Sequence, residues 1–174
     1  MDCYAKAAQN YHARCGIMNI SRCQKFFGVG HIGILISLTS LSLLWLLDRV
    51  LHHVEILNPP GPIRIAGYVL IAIWICWHLW CIKAIDQWWR HDRLCTKGPY
   101  RIVRHPIYAG GTLLGALGIS LVLNSWIMLL LPVLMFVAYS ILVRKEETMM
   151  TAVFGEEYRR YAARTGRLFP RIFS

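Results

Sequence analysis

The residues able to do chemistry gather in two polar stretches. Residues 90–108, RHDRLCTKGPYRIVRHPIY, bring Tyr100, Arg104, His105 and Tyr108 around the turn signal Lys97-Gly98-Pro99. Residues 144–174 open with Arg144-Lys145-Glu146-Glu147 and run on to Arg164 and Arg167. Carboxylates, guanidiniums and an imidazole together offer charges of both signs to a ligand that carries both. Each feature also has a plainer reading. Arg, His and Tyr are ordinary anchors at lipid headgroup level, and Pro106 suits the first turn of a helix. Glu146 and Glu147 sit just past an apolar run, where carboxylates are more often functional than on a soluble surface. Phe154, Tyr158 and Tyr161, spaced i, i+4, i+7, predict one packed face of an outgoing helix.

These stretches must be held by elements that are almost wholly apolar. The chain has 174 residues, 56% hydrophobic and 16% charged, with a mean hydropathy of +0.44. A soluble domain carries about 25% charged residues, so a soluble core is excluded, as is a disordered chain. Residues 26–47 and 65–82 are charge-free runs of span length. From His105 to Val143 no charge occurs, and one helix of that length would be about 58 Å long against a hydrocarbon core of about 30 Å. The run must turn back, and Asn124-Ser125 marks the place. Spans over 107–123 and 126–143 then form a tight hairpin, with a kink expected at Pro132. The hairpin brings its two flanks, and so the two polar stretches, to one end. The expectation is an all-α integral membrane protein with about four transmembrane helices. Residues 1–25 precede the spans, residues 26–174 form a single membrane domain, and 144–174 form a tail containing a helix.

The net charge of +10 follows this topology. Lys6, Arg14, Arg22 and Lys25, the loop Arg90, Arg93, Lys97, Arg101 and Arg104, and seven cations of the tail fall on one side. Only Arg49 and Arg64 fall on the other. The positive-inside rule puts both termini and the polar stretches in the cytoplasm and leaves no need for nucleic acid. None of the six cysteines forms a CxxC pair, so no metal is expected, and the thiols are read as reduced. No signal peptide is evident, and Met18 is a candidate start. Gly28-Val-Gly30-His-Ile-Gly33 matches a dinucleotide fingerprint, with Asp48 twenty residues after Gly28. The fingerprint works only inside a βαβ unit, which this chain lacks, so close helix packing is the better reading. Gly111 and Gly115 form a GxxxG, read as internal packing; the oligomeric state stays open.

GPYRIVRHPIYAG, an apolar hairpin, KEE and FGEEYRRYAARTGRLFP, in that order, resemble the isoprenylcysteine carboxyl methyltransferase family, a relative of the membrane phospholipid methyltransferases. The resemblance covers residues 94–171. The first two spans match only in being apolar, and the connection Gln87–Arg93 is shorter than in many members. The resemblance implies a multi-span enzyme using S-adenosylmethionine at the cytoplasmic face, with a lipophilic acceptor reached from the bilayer. Carried over residue by residue, Gly98, Tyr100, His105, Tyr108, Glu146 and Glu147 would hold the cofactor. Arg104, Glu147 and Arg167 would act in catalysis, and Arg164 matches a further basic position.

The acceptor sets the chemistry. An isoprenylcysteine carboxylate, the leading expectation, is already ionised and needs only orientation by Arg104 or Arg167. A phospholipid amine of the phosphatidylethanolamine type needs a general base, His105 or Glu147. A small thiol lies between. Two other classes remain: an NADPH-dependent enzyme like the sterol reductases, and a non-enzymatic membrane adaptor.

Overall fold

The computed structural model describes residues 30–89 and 93–171. Residues 1–29, which hold the expected N-terminal segment and Gly28, lie outside the described residues, as do residues 90–92 of the connection Gln87–Arg93. Among the described residues there is no strand.

The chain folds into α1 (Gly30–Val50), α2 (Gly61–Trp89), a short α3 (Pro99–Ile102), α4 (Pro106–Leu123), α5 (Leu130–Phe154) and α6 (Glu156–Arg164). Four of these helices are long and apolar enough to span a membrane, α5 being counted with the 3₁₀ turn before it. α4 and α5 form the hairpin that the charge-free run demands. Asn124 ends α4 in the left-handed region, at φ 51°, which asparagine tolerates better than most residues. Pro132 lies near the start of α5 rather than in its interior. α5 begins at Leu130, after the turn Ile127–Leu129, so Pro132 falls in the first helical turn, where no backbone donor is due.

α2 packs along α4 and α1 along α5. The α2–α4 seam is closed by small residues: a Cβ on Gly115 would meet the Trp74 ring at 2.9 Å, and one on Gly118 the Gly67 carbonyl at 3.0 Å. Gly115 therefore serves packing inside this chain. α4 widens into a π-helical stretch over Gly111–Ala116, with Gly111 facing the Tyr139 ring. The core comprises Leu44, Ala116, Met128, Leu131, Met135, Tyr139 and Leu142. Leu35, Leu43, Ile65 and Leu79 point outward, the pattern of helices solvated by lipid rather than water.

At the hairpin turn, the 51–60 loop is stapled down. Asn124 accepts from the Leu57 N–H at 3.1 Å and donates to the Leu57 carbonyl at 2.9 Å. Buried Asp48 accepts from Ser125 Oγ and from His53 Nδ1, at 2.5 and 2.7 Å. At the opposite end, α5 runs past Val143, where the charge-free run stops, through the charged residues to Phe154. Gly155 breaks the helix there with φ 55° and ψ −125°, a region open in practice to glycine. The expected single face of Phe154, Tyr158 and Tyr161 is thus split between two helices. Tyr158 is buried and Tyr161 half-buried on α6, with ring centroids 6.0 Å apart.

Candidate functional site

Both polar stretches meet at the Gly155 end of the bundle. The extended residues before α4 pair in parallel with the segment after α6. The Arg104 N–H donates to the Gly166 carbonyl at 2.8 Å, and the His105 N–H to that of Arg167 at 3.1 Å. Val103 faces inward on Val143 and Leu168. Pro106 then starts α4, and its carbonyl accepts from Trp77 Nε1 of α2 at 2.8 Å. The RHP segment is thus fixed by α2, α5 and the tail together.

Glu147 is the hub. Arg104 Nε donates to its Oε1 at 2.7 Å, and Arg167 donates to its Oε2 through Nε and Nη2 at 2.9 and 2.6 Å. Arg104 also caps the end of α6, donating through Nη1 to the carbonyls of Ala162 and Thr165. The Arg104 and Glu147 side chains are 11% and 13% exposed, whereas Arg167 is 41% exposed. Arg104 is therefore a buried strut, and Arg167 is the accessible cation.

His105 lies between two carboxylates. Its Nδ1 is 3.3 Å from Glu146 Oε2 and its Nε2 is 3.5 Å from Glu147 Oε1. These are ion-pair separations, too long for good hydrogen bonds, and buried Nε2 has no hydrogen-bond partner. Burial disfavours the imidazolium, but the two carboxylates outweigh it, so the His105 pKa is raised above its ordinary value. Tyr108 donates its O–H to Glu146 Oε1 at 2.6 Å. Its ring packs on Tyr139, with centroids 4.9 Å apart, and the Tyr139 hydroxyl shares a 2.6 Å hydrogen bond with Ser37 of α1. Gly33 lets α1 approach: a Cβ there would meet the Tyr139 and Tyr108 rings at 3.3 and 3.5 Å. That is the place of the last glycine of the apparent fingerprint, inside a helix.

Arg104, His105, Tyr108, Glu146, Glu147 and Arg167 are thus brought together. Gly98 and Tyr100 stand behind them. Gly98 takes φ 59° against Trp80 and Ala84, a conformation strained for any other residue. Tyr100 is buried beside Cys81 and Cys95, its carbonyl accepting from the Tyr161 hydroxyl at 2.6 Å. Burial raises the Tyr100 and Tyr161 pKa values, so both stay phenols. Arg164 stands exposed on α6. Sequence reasoning passes over Tyr139 and Ser37. A tyrosine inside an apolar run was the available signal for the first, since a buried O–H needs a partner. Among the described residues no cluster suited to a metal ion occurs.

The cobalt-zinc-cadmium resistance protein CzcN of Cupriavidus metallidurans is 32% identical over 107 residues, covering 61% of this chain and 48% of that protein. The chain thus spans about half the length of this relative. No solved structure matches. The sequence model of the phospholipid methyltransferases matches residues 62–157, from the start of α2 through the hairpin and Glu147 into α6. The chain belongs to the phospholipid methyltransferase family.

Proposed function

We propose that this chain is an S-adenosylmethionine-dependent membrane methyltransferase acting on a lipid-borne acceptor at the cytoplasmic surface. The observation that carries the reading is the Glu146–His105–Glu147 cluster around buried His105, closed by Tyr108 and holding an orphaned Nε2. The donor set fits the cofactor. Glu146 and Glu147 suit its ammonium, Arg167 its carboxylate, and the Tyr108–Tyr139 pair a sulfonium, which favours aromatic faces. Gly98 and Tyr100 would shape the wall behind it. Bound there, S-adenosylmethionine supplies an electrophilic methyl group whose leaving group is a neutral thioether. The protein's part is to exclude water, align the acceptor and move a proton, and alignment alone can contribute about 7–11 kcal/mol. The cytoplasmic placement rests on the cations at this end.

Among acceptors, the geometry favours an amine over the carboxylate of an isoprenylcysteine. Arg104 is fully engaged and Arg167 is the cation this reading gives to the cofactor carboxylate, so no further guanidinium stands beside His105 to orient an acceptor carboxylate. Glu146 instead offers a carboxylate beside the imidazole. An acceptor ammonium would lose its proton to Glu146, which would leave the nitrogen lone pair free toward the methyl group that the cofactor would supply. Methyl transfer from labelled cofactor to phosphatidylethanolamine, compared with a farnesylcysteine acceptor, tests this. With an amine, kcat rises with pH between about pH 6 and 8. With a carboxylate, whose pKa lies far below, it stays flat. Labelling of farnesylcysteine alone, with a flat profile, would replace the amine by the carboxylate. Labelling of neither acceptor or of a thiol, in protein that binds the cofactor, would remove the lipid reading.

A further inference from the structure

An open groove of about 600 Å³ runs between the outer part of α5 and α6, within the size range of small-ligand sites. Arg144, Glu147, Thr151, Tyr158, Arg159 and Arg167 line it. Its charge is unbalanced. Glu147, the one acidic wall, is answered by Arg104 from behind and Arg167 from in front. Arg159 meets Glu156 only in an exposed pair, of a kind worth about 0–1 kcal/mol. Arg144 makes no ion pair among the described residues and stands exposed. The Thr148 and Thr151 hydroxyls already donate to the carbonyls of Arg144 and Glu147. The Tyr158 hydroxyl is different: its side chain is 3% exposed, and its oxygen has no hydrogen-bond partner. The groove therefore presents guanidinium donors, with no uncommitted carboxylate, above the buried Tyr158 phenol.

We propose that this groove is a phosphate-binding site, taking the phosphate of a lipid headgroup or a free phosphate. Guanidinium forks match phosphate oxygens, and several around one pocket are a usual device for holding it. Depth agrees with the charge. Arg144 is the first charge after the charge-free run that ends at Val143, so the inner end of the groove opens where headgroup phosphates lie. From Arg144 to Ala152 the groove extends about 12 Å outward along α5. The site shares Glu147 and Arg167 with the methyl-transfer reading, but its defining residues, Arg144 and Arg159, stand outside that machinery.

The test uses the full chain and two probes. Purified protein in detergent is titrated with inorganic phosphate. The same protein in phosphatidylcholine nanodiscs is assayed for retention of phosphatidic acid. At least one probe binds, and the double variant Arg144→Gln/Arg159→Gln weakens it by about tenfold, or about 1.4 kcal/mol. Arg144→Lys/Arg159→Lys keeps most of the binding, which separates lost charge from lost fold. Retention of phosphatidic acid alone assigns a headgroup; binding of inorganic phosphate alone assigns a free anion. Binding of neither, or equal binding by wild type and the Gln variant, overturns the proposal. S-adenosylmethionine is titrated in the same samples. Cofactor binding without either probe refutes the groove alone, and probe binding without cofactor refutes the methyltransferase reading alone.

Discussion

Arg104 and Arg167 look alike in the sequence, one in each polar stretch, and both donate to Glu147, yet their surroundings give them different work. Removing Arg104 would leave Glu147 Oε1 and two carbonyls at the end of α6 without their donor, so Arg104→Ala should cost about 1–3 kcal/mol in a denaturant titration. Arg167→Ala, losing a half-exposed pair, should cost under about 1 kcal/mol. Equal losses would refute the strut. His105 supplies a pH test. Its folded pKa is raised, so its contribution to stability is fully present below the unfolded value of about 6.5 and is lost as pH rises through the folded value. The stability gap between wild type and His105→Gln should therefore be constant below about pH 6.5 and shrink above it. A gap unchanged from about pH 5 to 9 would show that the two carboxylates do not hold the imidazolium. The residue types of this cluster were legible because both stretches flank one hairpin. Which arginine is buried was not, since that depends on where α6 ends.

At the scale of elements, the hairpin was legible because membrane thickness is a hard ruler: a charge-free run of that length must turn, and Asn124 supplies the turn. The split between α5 and α6 was not. The spacing of Phe154, Tyr158 and Tyr161 reads as one continuous helix, and only the backbone angles of Gly155 reveal the break. A Cβ at Gly155 would meet nothing within 4 Å, so the requirement is conformational, not steric. Gly155→Ala should destabilise by about 1–3 kcal/mol and reduce cofactor affinity, by shifting α6 against Arg104. A neutral outcome in both thermal unfolding and binding would mean that the break places nothing. Pro132 illustrates the same limit, because a proline reads as a kink until the helix start is known.

Over the whole molecule, two ends of one bundle carry unlike polar clusters. The Asn124 staple and the Asp48–Ser125 contact fix the hairpin turn to the 51–60 loop, far from Glu147. Asn124→Ala should cost about 1–3 kcal/mol of stability while leaving ligand affinity intact, measured by thermal unfolding beside cofactor titration. The sequence marked this end by the Asn124-Ser125 turn and its scarcity of cations, but not by these contacts, because they pair residues distant along the chain. The other end draws on the loop before α4, the end of α5 and the segment after α6, and that assembly makes sense as a cofactor site. The most direct test is calorimetric titration of S-adenosylmethionine, with NADPH in parallel, into purified wild type and into Glu147→Gln that keeps a cooperative unfolding transition. The account predicts S-adenosylmethionine binding weakened by about tenfold or more in the variant, and no NADPH binding. Binding unchanged by the substitution, or NADPH binding in place of S-adenosylmethionine, would contradict it.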